Sequence, residues 1–178
     1  MIKKLLILII SICIIPSFLM ADYPNTSIGV IDLNKIYSEA TAAIDAGKQI
    51  DKIAIEIENE IKLDEEEIIK EQNSLIEAQS IMAPEAFETK RIEYESKVQK
   101  FSNETQSKRR KIQELIAVTE NDILNAVKPI LEEISNEKGI TIIIDKSLIW
   151  LNAEKMDITN EVLKELNKSL PNIKISRD

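Results

Sequence analysis

From Asn34 to Lys138 the sequence holds only Gly47, Pro84 and Pro129 to interrupt a helical pattern. No ordinary globular helix runs that far, and Pro84 lacks the N–H that a helix interior needs. The pattern therefore predicts two arms folded back at residues 82–85. At about 1.5 Å per residue, arms of roughly 40–50 residues reach about 60–75 Å. The short flanking segments cannot cover such arms, so the arms must project. Composition agrees with this reading. Three glycines and 4% aromatic residues are few for a compact mixed domain, and 44% hydrophobic with 30% charged residues excludes both a disordered chain and a polytopic membrane protein.

Apolar residues in both arms approximate the three–four spacing of a helix–helix seam. The first arm offers Ile50, Ile53, Ile57, Ile61, Ile68, Leu75 and Met82. The second offers Phe87, Tyr94, Val98, Phe101, Ile112, Leu115, Ile116, Ile123, Val127, Ile130 and Ile134. Asp64, Glu71 and Gln72 interrupt the first series, and Ser102 to Lys111 is almost wholly polar in the second. Charge also divides. Residues 45–82 carry eleven acids and four bases, and residues 85–111 carry five acids and eight bases. The basic run Lys108–Lys111 has two readings: a solvated face that complements the acidic arm, or a transient contact with the acidic head groups of a membrane surface.

The ends read differently. Ser27–Leu33 is β-branched and bounded by Pro24-Asn25 and Asn34, which predicts a strand. Gly139 is placed to stop the long helix. Thr141–Asp145 predicts a second strand and Leu148–Leu151 a third, with Lys146-Ser147 as the turn between them. A short helix follows to about Ser169, with Asp157 or Thr159 offering a capping oxygen. Leu170–Asp178, broken by Pro171, reads as a poorly ordered or peripheral tail. The domain expectation is a body from residues 22–42 and 128–178, with a coiled-coil hairpin from 43–127.

Residues 1–21 read as a signal peptide. Lys3 and Lys4 precede the apolar run Leu5–Ile15, Pro16 and Ser17 break it, and cleavage is expected between Ala21 and Asp22. The run is shorter than the ~20 residues a spanning helix needs. Cys13, the single cysteine, lies inside it and lacks the small preceding residue of a lipoprotein site. Removing Lys3 and Lys4 leaves a mature charge of 21 − 31 = −10. Such a chain can be exported to an oxidising compartment without disulfide chemistry.

Chemistry is sparse. With no histidine, His-dependent triads and His metal sites are excluded. Three scattered glycines make no phosphate loop. Asp32, Asp145 and Asp157 have simpler work as strand-end or cap residues than as a metal cluster. The acidic balance argues against nucleic-acid binding. Neither a cofactor nor an enzymatic activity is expected.

Four features together resemble the Skp/OmpH family of periplasmic chaperones: Ile28–Tyr37, the long charged hairpin, Gly139–Lys146 and Asp157–Asn167. The resemblance implies a mainly α fold with a small β body. A long antiparallel coiled-coil hairpin projects from a short-stranded, β-rich trimerisation body. It also implies a homotrimer that holds unfolded outer-membrane proteins between its arms in the periplasm without ATP. The apolar residues expected to meet such a client are Ile81, Met82 and Phe87 at the tip, with Tyr94 and Phe101 below; the alternative is that these same residues serve the hairpin seam. The other class of function open to these residues is a coiled-coil spacer or stalk of the cell envelope with no client.

Overall fold

The computed structural model describes residues 26–177. The expected signal segment, with its Ala21–Asp22 junction, lies outside the described residues. The elements are β1 (Ile28–Ile31), α1 (Leu33–Glu39), α2 (Thr41–Ala78), α3 (Pro84–Lys138), β2 (Ile142–Asp145) and α4 (Thr159–Ser169), with 3-10 turns at Lys146–Leu148 and Glu154–Met156. α2 and α3 are the two arms. By helical rise they are roughly 57 and 82 Å long.

The turn between the arms occupies Gln79–Ala83, slightly earlier than the expected 82–85. Pro84 is the first residue of α3, where its missing N–H costs nothing and its fixed φ suits the helix. Ala83 is extended, as a residue before proline prefers. At the other end Gly139 adopts φ 66° and closes α3, its N–H donating to the Ser135 carbonyl. Pro129 sits inside α3, which continues through it.

β1 and β2 pair in parallel, with Ile28 opposite Ile142 and Ile31 opposite Asp145. Gly29 makes a close approach there: a Cβ would lie 3.1 and 3.2 Å from two side-chain carbons of Ile140. The core of the body collects Ile31, Ile36 and Ala40 from the first segments, Ile123, Val127, Ile130 and Ile134 from the base of α3, and Val162, Leu163 and Leu166 from α4. Each fully buried aliphatic side chain contributes about 1.5–3 kcal/mol. This packing holds the base of the hairpin rigidly against the body.

Two expectations are corrected. Leu148–Leu151 is not a strand within this chain. Leu148 ends a 3-10 turn in which Asp145 accepts from the Ser147 N–H, and Leu148, Trp150 and Leu151 stand in solvent. Strand-forming side chains cannot make a strand without a ladder partner, and none of the described residues supplies one here. The tail is also not peripheral. Ile173 packs on the core cluster, and Gln49 on α2 grips the tail twice, donating to the Ile173 carbonyl (2.7 Å) and accepting from the Ile175 N–H (3.0 Å). Arg177 then donates to the two carboxylate oxygens of Glu60 from Nη1 and Nη2, at 2.6 and 2.8 Å. The tail is a strap along the lower part of α2.

Candidate interaction surface of the hairpin

The arms meet along an unbroken alternation of three- and four-residue steps. On α2 the half-buried and buried seam positions are Ile57, Ile61, Asp64, Ile68, Glu71, Leu75, Ala78 and Met82. On α3 they are Phe87, Arg91, Tyr94, Val98, Phe101, Thr105, Lys108, Ile112, Leu115 and Thr119. Polar residues hold several of these places: Asp64, Glu71 and Lys108 are matched across the seam, whereas Arg91 engages Glu88 and Glu95 of its own helix. Lys108 Nζ lies 2.9 Å from Asp64 Oδ2 and 3.4 Å from Glu60 Oε2. Lys97 Nζ reaches Glu71 at 2.7 Å, and Arg109 lies 3.7 Å from Glu58. Rising numbers on one arm meet falling numbers on the other, so the arms are antiparallel. The hydrogen bond to Asp64 raises the Lys108 pKa above the usual lysine value, against the opposing effect of desolvation. The hydrogen bond from Arg177 lowers Glu60 to about 2, with burial opposing it and Lys108 assisting. These polar layers fix register rather than merely interrupting the seam.

Four of the five residues expected to meet a client are seam residues. Met82, Phe87, Tyr94 and Phe101 are half-buried, and only Ile81, at 85% exposure, stands free at the tip. Tyr94 and Leu75 form the floor of a cleft of about 480 Å³ between the arms, rimmed by Lys70, Glu71, Lys90 and Lys97. Exposed apolar residues of the arms outside that expected set include Ile55, Ile69, Ile76 and Ile92, and also Leu63 and Val118. The three–four register sorts them: the four isoleucines directly follow a seam position or its continuation, whereas Leu63 and Val118 directly precede one.

Full burial is confined to the base. The buried residues of α2 end at Ile61 and those of α3 begin at Thr119. Above those points the hairpin is only two helices thick and stands in solvent on both sides. In the body, Lys146 Nζ bridges Asp157 at 3.0 Å and Asp32 at 4.0 Å, while Asp32 caps α1 through the Lys35 N–H. Asp157 accepts from the Thr159 N–H at the start of α4. An ammonium thus lies between Asp157 and Asp32, Asp145 accepts from the Ser147 N–H, and the described residues hold no cluster suited to a metal ion.

The model of the family described as outer membrane protein (OmpH-like) matches residues 27–166, from β1 through most of α4. The chain belongs to the OmpH-like family. The matched span takes in both halves of the body and the whole hairpin, so membership rests on the full architecture of this OmpH-like chain. The crystal structure of a Caulobacter crescentus protein, described as a candidate OmpH-like outer membrane chaperone, shares the fold. Its TM-score is 0.76 at 12% identity, over 88% of this chain and 92% of that one. None of the curated proteins matches the sequence.

Proposed function

We propose that this protein is a periplasmic, ATP-independent holdase that binds unfolded outer-membrane proteins and keeps them from aggregating. The observation that carries the reading is the pair of arms that bury nothing completely above Ile61 and Thr119, yet stay in fixed register through matched ion pairs. A projecting two-helix wall has little use in its own core and much as one side of a chamber. Family membership favours the same role, as does the description of the Caulobacter crescentus protein as a candidate chaperone. A homotrimer is part of the proposal. β2 has β1 on one side and no strand among the described residues on the other, and the exposed Ile142, Leu148, Trp150 and Leu151 lie in and after that strand. Three such walls would enclose a client, and many weak contacts would hold it by effective concentration. Release would follow from the client's own downhill folding, so nucleotide hydrolysis is not required.

The test is a shortened hairpin. Deleting residues 67–101 and joining Glu66 to Ser102 by a short turn removes the arms above the Asp64–Lys108 pair and leaves the body and strap intact. The expected result is unchanged assembly, but loss of the ability to suppress turbidity of a urea-diluted outer-membrane β-barrel without nucleotide. Equal protection by the shortened chain would reject the wall as the holding element and favour a spacer role.

A further inference from the structure

The hairpin has two unlike faces. In both arms the residue after a seam position lies to one side of the seam and the residue before it lies to the other. Because the arms are antiparallel, the "after" sides of both share one face. The geometry bears this out. Glu58 and Arg109 each follow a seam position and approach each other, whereas Lys70, Lys90 and Lys97 each precede one and rim the same cleft. On the outer hairpin the "before" face is charged. It carries Glu67, Lys70, Ser74 and Glu77 from α2, and Lys90, Glu93, Lys97, Lys100 and Glu104 from α3, with large apolar side chains only at its two ends, Leu63 below and Ile81 at the tip. The "after" face carries Ile69, Gln72, Ile76 and Gln79 from α2, and Ile92, Gln99, Ser102 and Gln106 from α3. Its charges there are Glu88 and Glu95, which Arg91 engages, with Glu85 beside the tip and Glu65 at the lower end. Ile76 is 61% exposed and Ile92 is 54% exposed.

We infer that this isoleucine–glutamine face is where the hairpin holds an unfolded client, and that it selects polypeptide segments of low charge. The inference rests on the holdase reading above. An exposed isoleucine that becomes buried on contact contributes on the order of tenfold in affinity. A glutamine amide both donates and accepts, so it satisfies peptide groups of any sequence. Together they give sequence-tolerant holding. Charge complementarity decides the occupant. The opposite face would have to desolvate its ion pairs to bind an apolar segment. A β-barrel strand destined for lipid alternates apolar residues with small polar ones and keeps charge off its lipid side. Such a segment fits the isoleucine–glutamine face and is poorly served by the charged one.

The experiment uses the full chain and a urea-unfolded outer-membrane β-barrel. Ile76→Glu with Ile92→Glu alters only exposed side chains, and circular dichroism checks that the helices persist. This pair is expected to raise the chaperone concentration giving half-protection by about tenfold or more. Leu63→Glu with Ser74→Glu, on the other face, is expected to change it by less than about twofold. A photo-cross-linker at Gln99 is expected to capture client, and one at Ser74 is not. Protection that survives in the Ile76/Ile92 variant while the wild type protects overturns the face assignment and leaves the holdase reading standing. A wild type that gives no protection overturns the holdase reading itself. Dissociation of the Ile76/Ile92 variant into smaller species in sedimentation would assign the face to contact between copies of this chain, and also overturns the inference.

Discussion

Gly29 shows how narrowly one residue is fixed. It is buried in β1 beside Ile140, and an added methyl would press on two of that side chain's carbons at 3.1 and 3.2 Å. Ile140 is half-buried against the core cluster and would have to shift towards the open cavity beside Ile142 and Ile143 to make room. Gly29→Ala is therefore expected to destabilise the body by about 1–3 kcal/mol, the usual cost of overpacking. Urea unfolding followed by circular dichroism checks this, and an unchanged midpoint would show that Ile140 yields. The same glycine could not be singled out from sequence, because its constraint comes from a residue more than a hundred positions away. Gly139 was legible, since a glycine directly after a long periodic run has an obvious use at positive φ. The aspartates divide similarly. Asp157 was readable as a helix-start acceptor, but its bridge through Lys146 to Asp32 depends on three chain segments meeting.

At the scale of elements, the arms were read well because their signal is local and repeated. The three–four spacing, Pro84 at the return and Gly139 at the stop all belong to single helices. The strands β1 and β2 were also legible from their β-branched runs, and what failed were two segments whose fate depends on distant partners. Leu148–Leu151 has strand-forming side chains but no ladder within the chain. The strap 170–177 has no periodicity, and only the fold brings it to Gln49 and Glu60. The candidate client residues show the same dependence: Phe87, Tyr94 and Phe101 are half-buried knobs that join the arms, the seam role that their spacing also allowed. The strap also carries a pH expectation. The Glu60 pKa falls from 4.5 to about 2 because Arg177 hydrogen-bonds its carboxylate, with burial opposing and Lys108 adding to the effect. A depressed carboxylate pKa favours the folded contact above the unfolded value, and that contribution disappears as pH drops through the folded one. Docking of the strap should thus be constant above about pH 5 and weaken between about pH 4.5 and 2. Amide exchange at Ile175, whose N–H is held by Gln49, reads the release directly. The Arg177→Gln protein should lack this dependence, and equal pH sensitivity in both proteins would assign the release to another group.

The whole molecule sets an incomplete body beneath a self-sufficient hairpin. The hairpin closes its own seam, whereas the body leaves one edge of a two-stranded sheet and a run of large apolar residues uncovered. Trp150 is fully exposed and Leu151 is 91% exposed, so neither contributes to the core of a single chain. An oligomer that seats them gains what the monomer cannot, and closed cyclic symmetry lets every copy use the same edge and the same apolar run. Trp150→Ala separates the two levels. Because the side chain packs on nothing within the chain, helix content and the unfolding midpoint of the isolated chain should not change. Removing a tryptophan that becomes buried between copies costs about 3–5 kcal/mol per site. The association midpoint should then shift to more than about a hundredfold higher concentration, since 1.4 kcal/mol corresponds to a factor of ten. Sedimentation equilibrium across a concentration series measures it. The wild type is expected near the mass of three chains, and the variant near one chain at micromolar concentration. A variant that remains at the wild-type mass would place the contact between copies elsewhere than this edge, and a wild type that sediments as a single chain would remove the enclosed chamber from the mechanism.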